Sequence, residues 1–221
     1  MIEFFHEYVE PEEFYKKRVL EVGSKYVNGS VRPFIERFLN PREYIGIDIE
    51  PGKYVDILLP AEKIVEYFGE ESFDVIVSTE VLEHVRDWRA VINNMKRALR
   101  EGGIMYITTR SFGFPYHNFP QDFWRYEIED MRKIFDDFNI IVLKRDSSAP
   151  GVFLKARKPE AFKPNDLSDI ALYSIILGKK TRKIPSISEM PLRRKISLEL
   201  TIKVSHLGRY LINKLSSKYM V

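Results

Sequence analysis

The side chains best placed to do chemistry begin in the run Arg18-Val-Leu-Glu-Val-Gly-Ser-Lys-Tyr-Val-Asn-Gly-Ser-Val-Arg32. An apolar stretch ends on Glu21 and Gly23, and Gly29 precedes a pattern of helical period. A buried strand that stops at a glycine and re-enters a helix leaves backbone N–H groups facing a crevice that no side chain blocks. Spacing excludes the commonest occupants. Ser24 and Lys25 follow Gly23, so the three-glycine dinucleotide pattern is missing, and no Gly-Lys-Ser/Thr makes a phosphate loop. An acid, a close-approach glycine and a second glycine before the helix suit a ligand that has no phosphates and carries a cationic amino-acid end.

Two further stretches hold groups of the right kind. Tyr44-Ile-Gly-Ile-Asp48-Ile-Glu50 reads as a short buried strand ending in carboxylates. An acid at the end of the second strand is where nucleotide-binding α/β folds hold ribose hydroxyls. One carboxylate can accept two O–H donors. Asp48 ranks first for that task, with Glu50 a rival on the same face. Arg110 to Tyr126 is dense in aromatics but broken by Gly113, Pro115 and Pro120, the composition of a functional lid. Its polar members are Tyr116, His117, Asp122 and Arg125. Tyr116 and His117 are the catalytic candidates, with His117 the first choice of general base for an oxygen or nitrogen nucleophile. The four histidines, His6, His84, His117 and His206, show no metal-ligand spacing, so no metal site is expected. There is no cysteine for nucleophilic chemistry.

These groups need a scaffold, and the chain alternates strands and helices at suitable lengths. Helical stripes cover Val31 to Leu39, Glu62 to Phe68, the stretch after the cap Asp87 as far as Leu99, and Ile128 to Phe135. Strands are predicted at Val55 to Leu59, Ser72 to Ser78, Ile104 to Thr109, Phe138 to Lys144 and Val152 to Lys155. The fourth strand is almost continuously apolar, as a central parallel strand should be. Pro150-Gly151 joins the last two.

Four stretches then carry a resemblance: Val19-Leu-Glu-Val-Gly23, Gly46-Ile-Asp-Ile49, Phe73-Asp-Val-Ile-Val-Ser-Thr-Glu-Val-Leu-Glu-His84 and Leu99-Arg-Glu-Gly-Gly103. In this order and spacing the chain resembles the class I S-adenosylmethionine-dependent methyltransferases, of the type 11-like kind, over roughly residues 17–158. The resemblance implies a Rossmann-like, doubly wound seven-stranded sheet with one antiparallel edge strand, and S-adenosylmethionine as cofactor. It assigns Glu21 to the methionine ammonium, Gly23 and Gly29 to the close-approach loop, and Asp48 to the ribose. Ile49 falls to the adenine face, and Ser78 and Glu80 to the cofactor side of the fourth strand. His84, after Glu83, more often supports its loop in relatives than performs chemistry. Relatives commonly place an acid after the third strand for the adenine amino group. Here Pro60 stands there, which leaves Glu62 or backbone groups to do that work. No Asn-Pro-Pro-Tyr-type sequence follows the fourth strand, which argues against methylation of adenine or glutamine amino groups. The reading is methyl transfer to a small or medium-sized acceptor. A nicotinamide-binding oxidoreductase and a non-catalytic scaffold on the same fold are the alternatives.

Composition bounds the rest. The 221 residues carry a net charge of +3 that hides an asymmetry. Through Lys158 there are 23 basic and 27 acidic residues, and beyond it 12 basic and 5 acidic. A catalytic domain over 1–158 and a basic, amphipathic helical extension over 159–221 are therefore expected, with helices at Asp166 to Leu177 and about Pro191 to Leu215. The second stripe suits packing on its own domain or a homodimer. A membrane surface or nucleic acid is the sharper reading, and the Lys179-Lys-Thr-Arg-Lys183 cluster lacks the aromatic interleaving of an RNA site. Deleting 159–221 is expected to alter acceptor turnover while sparing cofactor affinity. Without a signal peptide or a spanning apolar stretch, a cytoplasmic location is expected. A single glutamine against 30% charged residues fits a hot environment.

Overall fold

The computed structural model describes residues 2–117 and 121–198. Two short helices, α1 (Ile2–Tyr8) and α2 (Pro11–Phe14), precede the first strand, β1 (Arg18–Val22). Helix α3 (Arg32–Phe34) runs on into a π-helical turn over Ile35–Leu39, followed by β2 (Glu43–Asp48) and β3 (Ile57–Leu58). Next come α4 (Ile64–Phe68), β4 (Phe73–Thr79), α5 (Trp88–Ala98) and β5 (Leu99–Arg110). The described chain continues through β6 (Trp124–Arg125), α6 (Ile128–Ile134), β7 (Asn139–Arg145), β8 (Gly151–Arg157), β9 (Leu172–Ser174) and β10 (Lys179–Thr181). Asp87 caps α5 as its position predicts, its carboxylate accepting from the Ala90 N–H at 3.2 Å.

Seven strands form one sheet in the order β3-β2-β1-β4-β5-β8-β7. From β3 through β5 neighbouring strands run parallel, and β8 alone runs against the rest, between β5 and the edge strand β7. The order reverses direction at β1, and the crevice beyond the carboxyl ends of β1 and β4 is where such a sheet binds its ligand. Side chains alternate between two cores as the pleat requires. Val19, Val75, Val77, Ile104, Tyr106 and Phe153 pack with Phe4, Phe5 and Phe14 of the N-terminal helices. Leu20, Val22, Ile76, Met105, Ile107 and Leu154 face Trp88, Val91, Ile92 and Met95 of α5.

A second, three-stranded antiparallel sheet has the order β10-β9-β6. It corrects the helix expected at Asp166 to Leu177. Leu172 and Ser174 are buried on either side of the less buried Tyr173, and β9 pairs with both Trp124–Arg125 and Lys179–Thr181. Gly178, at φ +69°, turns the chain between β9 and β10. Tertiary pairing has overridden a local helical pattern. Nor does the charge break after Lys158 coincide with a break in packing, because Leu167, Ile170, Leu172 and Ile176 belong to the same core as α5. Of the second predicted tail helix, residues 192–198 are helical and the remainder lies outside the described residues. Among the described residues no helix is long and apolar enough to cross a membrane.

Candidate functional site

A cleft of about 620 Å³ opens at the carboxyl ends of β1, β2 and β4. Its first wall is the turn after β1. Glu21 is only 2% exposed, and its Oε2 has no hydrogen-bond partner among the described residues. Burial raises its pKa to about 7, against the opposing pull of the Tyr44 hydroxyl and the Arg32 guanidinium. A carboxylate in this state is stabilised by an incoming cation. Gly23 follows at φ +75°, with its N–H and that of Ser24 both donating to the Ile47 carbonyl. A Cβ on Gly23 would stand 2.1 Å from Val81 Cγ2, so the glycine is demanded by the close approach of the loop after β4.

The second wall is the tip of β2. Asp48 accepts from the backbone N–H groups of Lys25 and Glu50, both at 3.1 Å, which fixes its carboxylate at the cleft. Glu50 is engaged by the Lys25 ammonium at 2.6 Å, which distinguishes it from its rival. Ile49 is 60% exposed at the mouth, with Leu59, Ala61 and Glu62 beside it on the cleft wall. These form one edge of the cleft. Gly29 also lines the cleft.

The third wall comes from β4 and the lid. Glu80 lines the cleft in a left-handed conformation at φ +57°. It accepts from Thr108 Oγ1 at 2.8 Å and pairs with Arg110. Ser78 does not reach the cleft. It is fully buried, and Thr79, pointing to the opposite face, lines the cleft instead. Tyr116 is likewise absent from the cleft wall, whereas its neighbour His117 is on it. His117 and His84 meet, Nε2 to Nε2, at 3.1 Å. The backbone N–H of His117 donates to Asp122 Oδ2 at 3.1 Å, and Asp122 is in turn paired with the buried Arg125. Burial alone would pull the His117 imidazole down, but its hydrogen bond to the Asp122 carboxylate carries the pKa above the ordinary value. Burial dominates at His84 and lowers it. Glu83 is fully buried beneath them, and its pKa is pushed up to about 7 by that burial and by Glu80.

This pairing of His84 with His117 is what sequence reasoning missed. The two residues lie 33 positions apart, and only the fold of the lid brings them together. The available signal was the Glu-His pair after the fourth strand together with a lone histidine in the aromatic loop.

The sequence matches a family described as a methyltransferase domain over residues 1–140. The chain belongs to this methyltransferase family. Its class takes the methyl group from S-adenosylmethionine, and the three walls of the cleft suit that molecule. A ubiquinone biosynthesis O-methyltransferase of Parvibaculum lavamentivorans is 43% identical over 49 residues, which is 22% of this chain and 19% of that protein. The methyltransferase therefore shares only about a fifth of the length of that curated relative. Among solved structures, a Burkholderia thailandensis 1,6-didemethyltoxoflavin-N1-methyltransferase with bound S-adenosylhomocysteine superposes with a TM-score of 0.54 at 15% identity. That match covers 66% of this chain and 72% of the other. An S-adenosylmethionine-dependent methyltransferase from Mesorhizobium loti gives 0.52 at 14% identity, over 66% and 93% of the two chains. At these identities the likeness shows a common methyltransferase fold.

Proposed function

We propose that this methyltransferase acts on an oxygen or nitrogen nucleophile of a small or medium-sized acceptor. S-adenosylmethionine supplies a methyl carbon already activated by a sulfonium. The protein's work is then to align the donor with the acceptor, exclude water and dispose of the acceptor's proton. The observation that carries the placement of the cofactor is Glu21, a buried acid with one oxygen unpartnered among the described residues, beside a turn that Gly23 keeps bare. Glu21 would hold the amino-acid ammonium and Asp48 the ribose hydroxyls, with Ile49 against the adenine. Glu62, on the same edge of the cleft, stands in for the acid that Pro60 replaces. The lid residue His117 faces the remaining space, and the His84–His117 pair stands where the acceptor's nucleophile would be held. The stretch shared with an O-methyltransferase supports an oxygen acceptor over that part of the chain.

Calorimetry with S-adenosylhomocysteine tests the placement. The intact chain is expected to bind, and Asp48→Ala to weaken binding at least tenfold, because two hydroxyl donors lose a charged acceptor. Glu50→Ala, which removes an ion-pair partner of Lys25, is expected to change affinity less. Equal affinity for Asp48→Ala and the intact chain would remove the ribose assignment.

A further inference from the structure

The facing histidines pose a problem of chemistry. His84 Nδ1 lies 2.5 Å from the carbonyl oxygen of Gln121. A carbonyl only accepts, so this nitrogen carries the hydrogen. His117 Nδ1 faces the Pro115 carbonyl at 3.3 Å and the Asp122 carboxylate at 3.1 Å, and it too must donate. With both Nδ1 atoms protonated, the neutral rings point two lone pairs at each other across 3.1 Å, their planes at 80°. A cation shared by both lone pairs, a proton on one ring or a metal ion ligated by the two, relieves that repulsion. Below lies Glu83, fully buried, with Oε2 accepting from Thr109 Oγ1 at 2.9 Å and Oε1 without a partner among the described residues. Ligand atoms of Glu83, His84 and His117 all lie within 4.8 Å of one another.

We propose that Glu83, His84 and His117 bind a divalent first-row transition-metal ion on the acceptor side of the cleft, and that this ion binds the acceptor's nucleophilic oxygen. The inference rests on the methyltransferase reading above and names its substrate class: a hydroxyl-bearing acceptor that can ligate a metal. Two imidazoles and a carboxylate favour zinc, cobalt, iron or manganese over calcium or magnesium, which prefer all-oxygen sites. At metal–nitrogen distances of about 2.1 Å, two ligands at roughly right angles have their nitrogens about 3 Å apart, as these rings do. The hydrogen bonds from both Nδ1 atoms to Gln121, Pro115 and Asp122 are the outer contacts that orient a ligating histidine. Three protein ligands leave coordination positions open, and both histidines line the cleft. A hydroxyl bound there loses its proton to solvent on ligation. Its oxygen then forms the new bond to the methyl carbon as the carbon–sulfur bond breaks, the electron pair staying on sulfur.

The test uses the untagged, full-length chain after dialysis against chelator. Cobalt(II) alone is titrated and followed by its visible absorption, and zinc(II) alone by calorimetry. One equivalent is expected to bind, with His84→Ala, His117→Ala and Glu83→Gln each weakening binding at least tenfold. His6→Ala, on the exposed surface of α1, is expected to leave it unchanged. Asp122→Asn, through the orientation of His117, is expected to weaken it about tenfold. Each variant is also titrated with S-adenosylhomocysteine, and retained affinity shows that the variant is folded. No cobalt signal from the intact chain, or equal binding by the histidine variants, would overturn the proposal and assign the pair a shared proton instead. An intact chain that binds S-adenosylhomocysteine but no metal defeats this inference alone. Failure of the intact chain to bind that ligand defeats the cofactor reading.

Discussion

Glu21 carries a consequence that pH can read. Its pKa in the folded chain is about 7, above an ordinary value of 4.5, so between those values the native state holds a proton that the unfolded chain has lost. The stability this contributes is complete below pH 4.5 and is lost as pH rises to 7. Glu21→Gln, neutral throughout, is therefore expected to be the more stable chain at pH 8, by about 3 kcal/mol. Thermal unfolding measured at pH 5 and pH 8 checks this, and a gap that does not grow with pH would contradict the burial argument. The same proton governs binding: an ammonium favours the ionised acid, so affinity for S-adenosylhomocysteine is expected to fall as pH drops below 7, by up to tenfold per unit. Gly23→Ala is expected to abolish binding and lower stability together, since its methyl meets Val81 at a backbone angle that only glycine adopts freely. That Glu21, Gly23 and Asp48 line one cleft was legible because a strand, a turn and an acid at a strand tip are local features. Ser78 is buried away from the cleft and its neighbour Thr79 lines it, because one residue along a strand reverses the face.

At the scale of elements, the lid is held by charge. Asp122 is buried against Arg125, itself 1% exposed, and also takes the His117 backbone N–H. Arg125 additionally donates to the carbonyls of Trp124, Phe114 and Pro115, so one guanidinium gathers the lid around itself. Asp122→Ala leaves a buried cation unpaired, which costs about 3–5 kcal/mol. That is expected to lower Tm by on the order of 10 °C in a chain of this length. The double variant Asp122→Ala with Arg125→Met removes the stranded charge and is expected to recover part of the loss. A double variant as unstable as the single one would mean the lid depends on shape and not on the ion pair. The sequence marks the aromatic loop as a lid by its composition. It could not show that β6 within this loop pairs with β9, because that contact spans some fifty residues and depends on where the tail returns.

For the whole molecule, the alternation of strands and helices was readable because each element buries one continuous face, whereas the boundary at Lys158 was read from charge, which follows solvent and not packing. Leu167, Ile170, Leu172 and Ile176 sit in the main core. Arg89 donates to the carbonyls of Leu167 and Ile170, and Arg86 to that of Pro185, tying the segment to the loop and helix after β4. Burying a side chain of this size contributes about 1.5–3 kcal/mol, so the four together account for roughly 6–12 kcal/mol. A domain's entire stability is about 5–15 kcal/mol. A chain ended after Lys158 is therefore expected to lose its cooperative unfolding transition, and cofactor affinity with it, in place of the altered turnover with spared affinity that charge alone suggests. Leu172→Ala grades the effect: a cavity there costs about 2–5 kcal/mol and should leave a folded protein of lower Tm. Thermal unfolding of the three chains distinguishes the cases. Should the shortened chain melt as sharply and as high as the intact one, the 159–190 segment would be an appendage, and the core would close without the four side chains that fill it here.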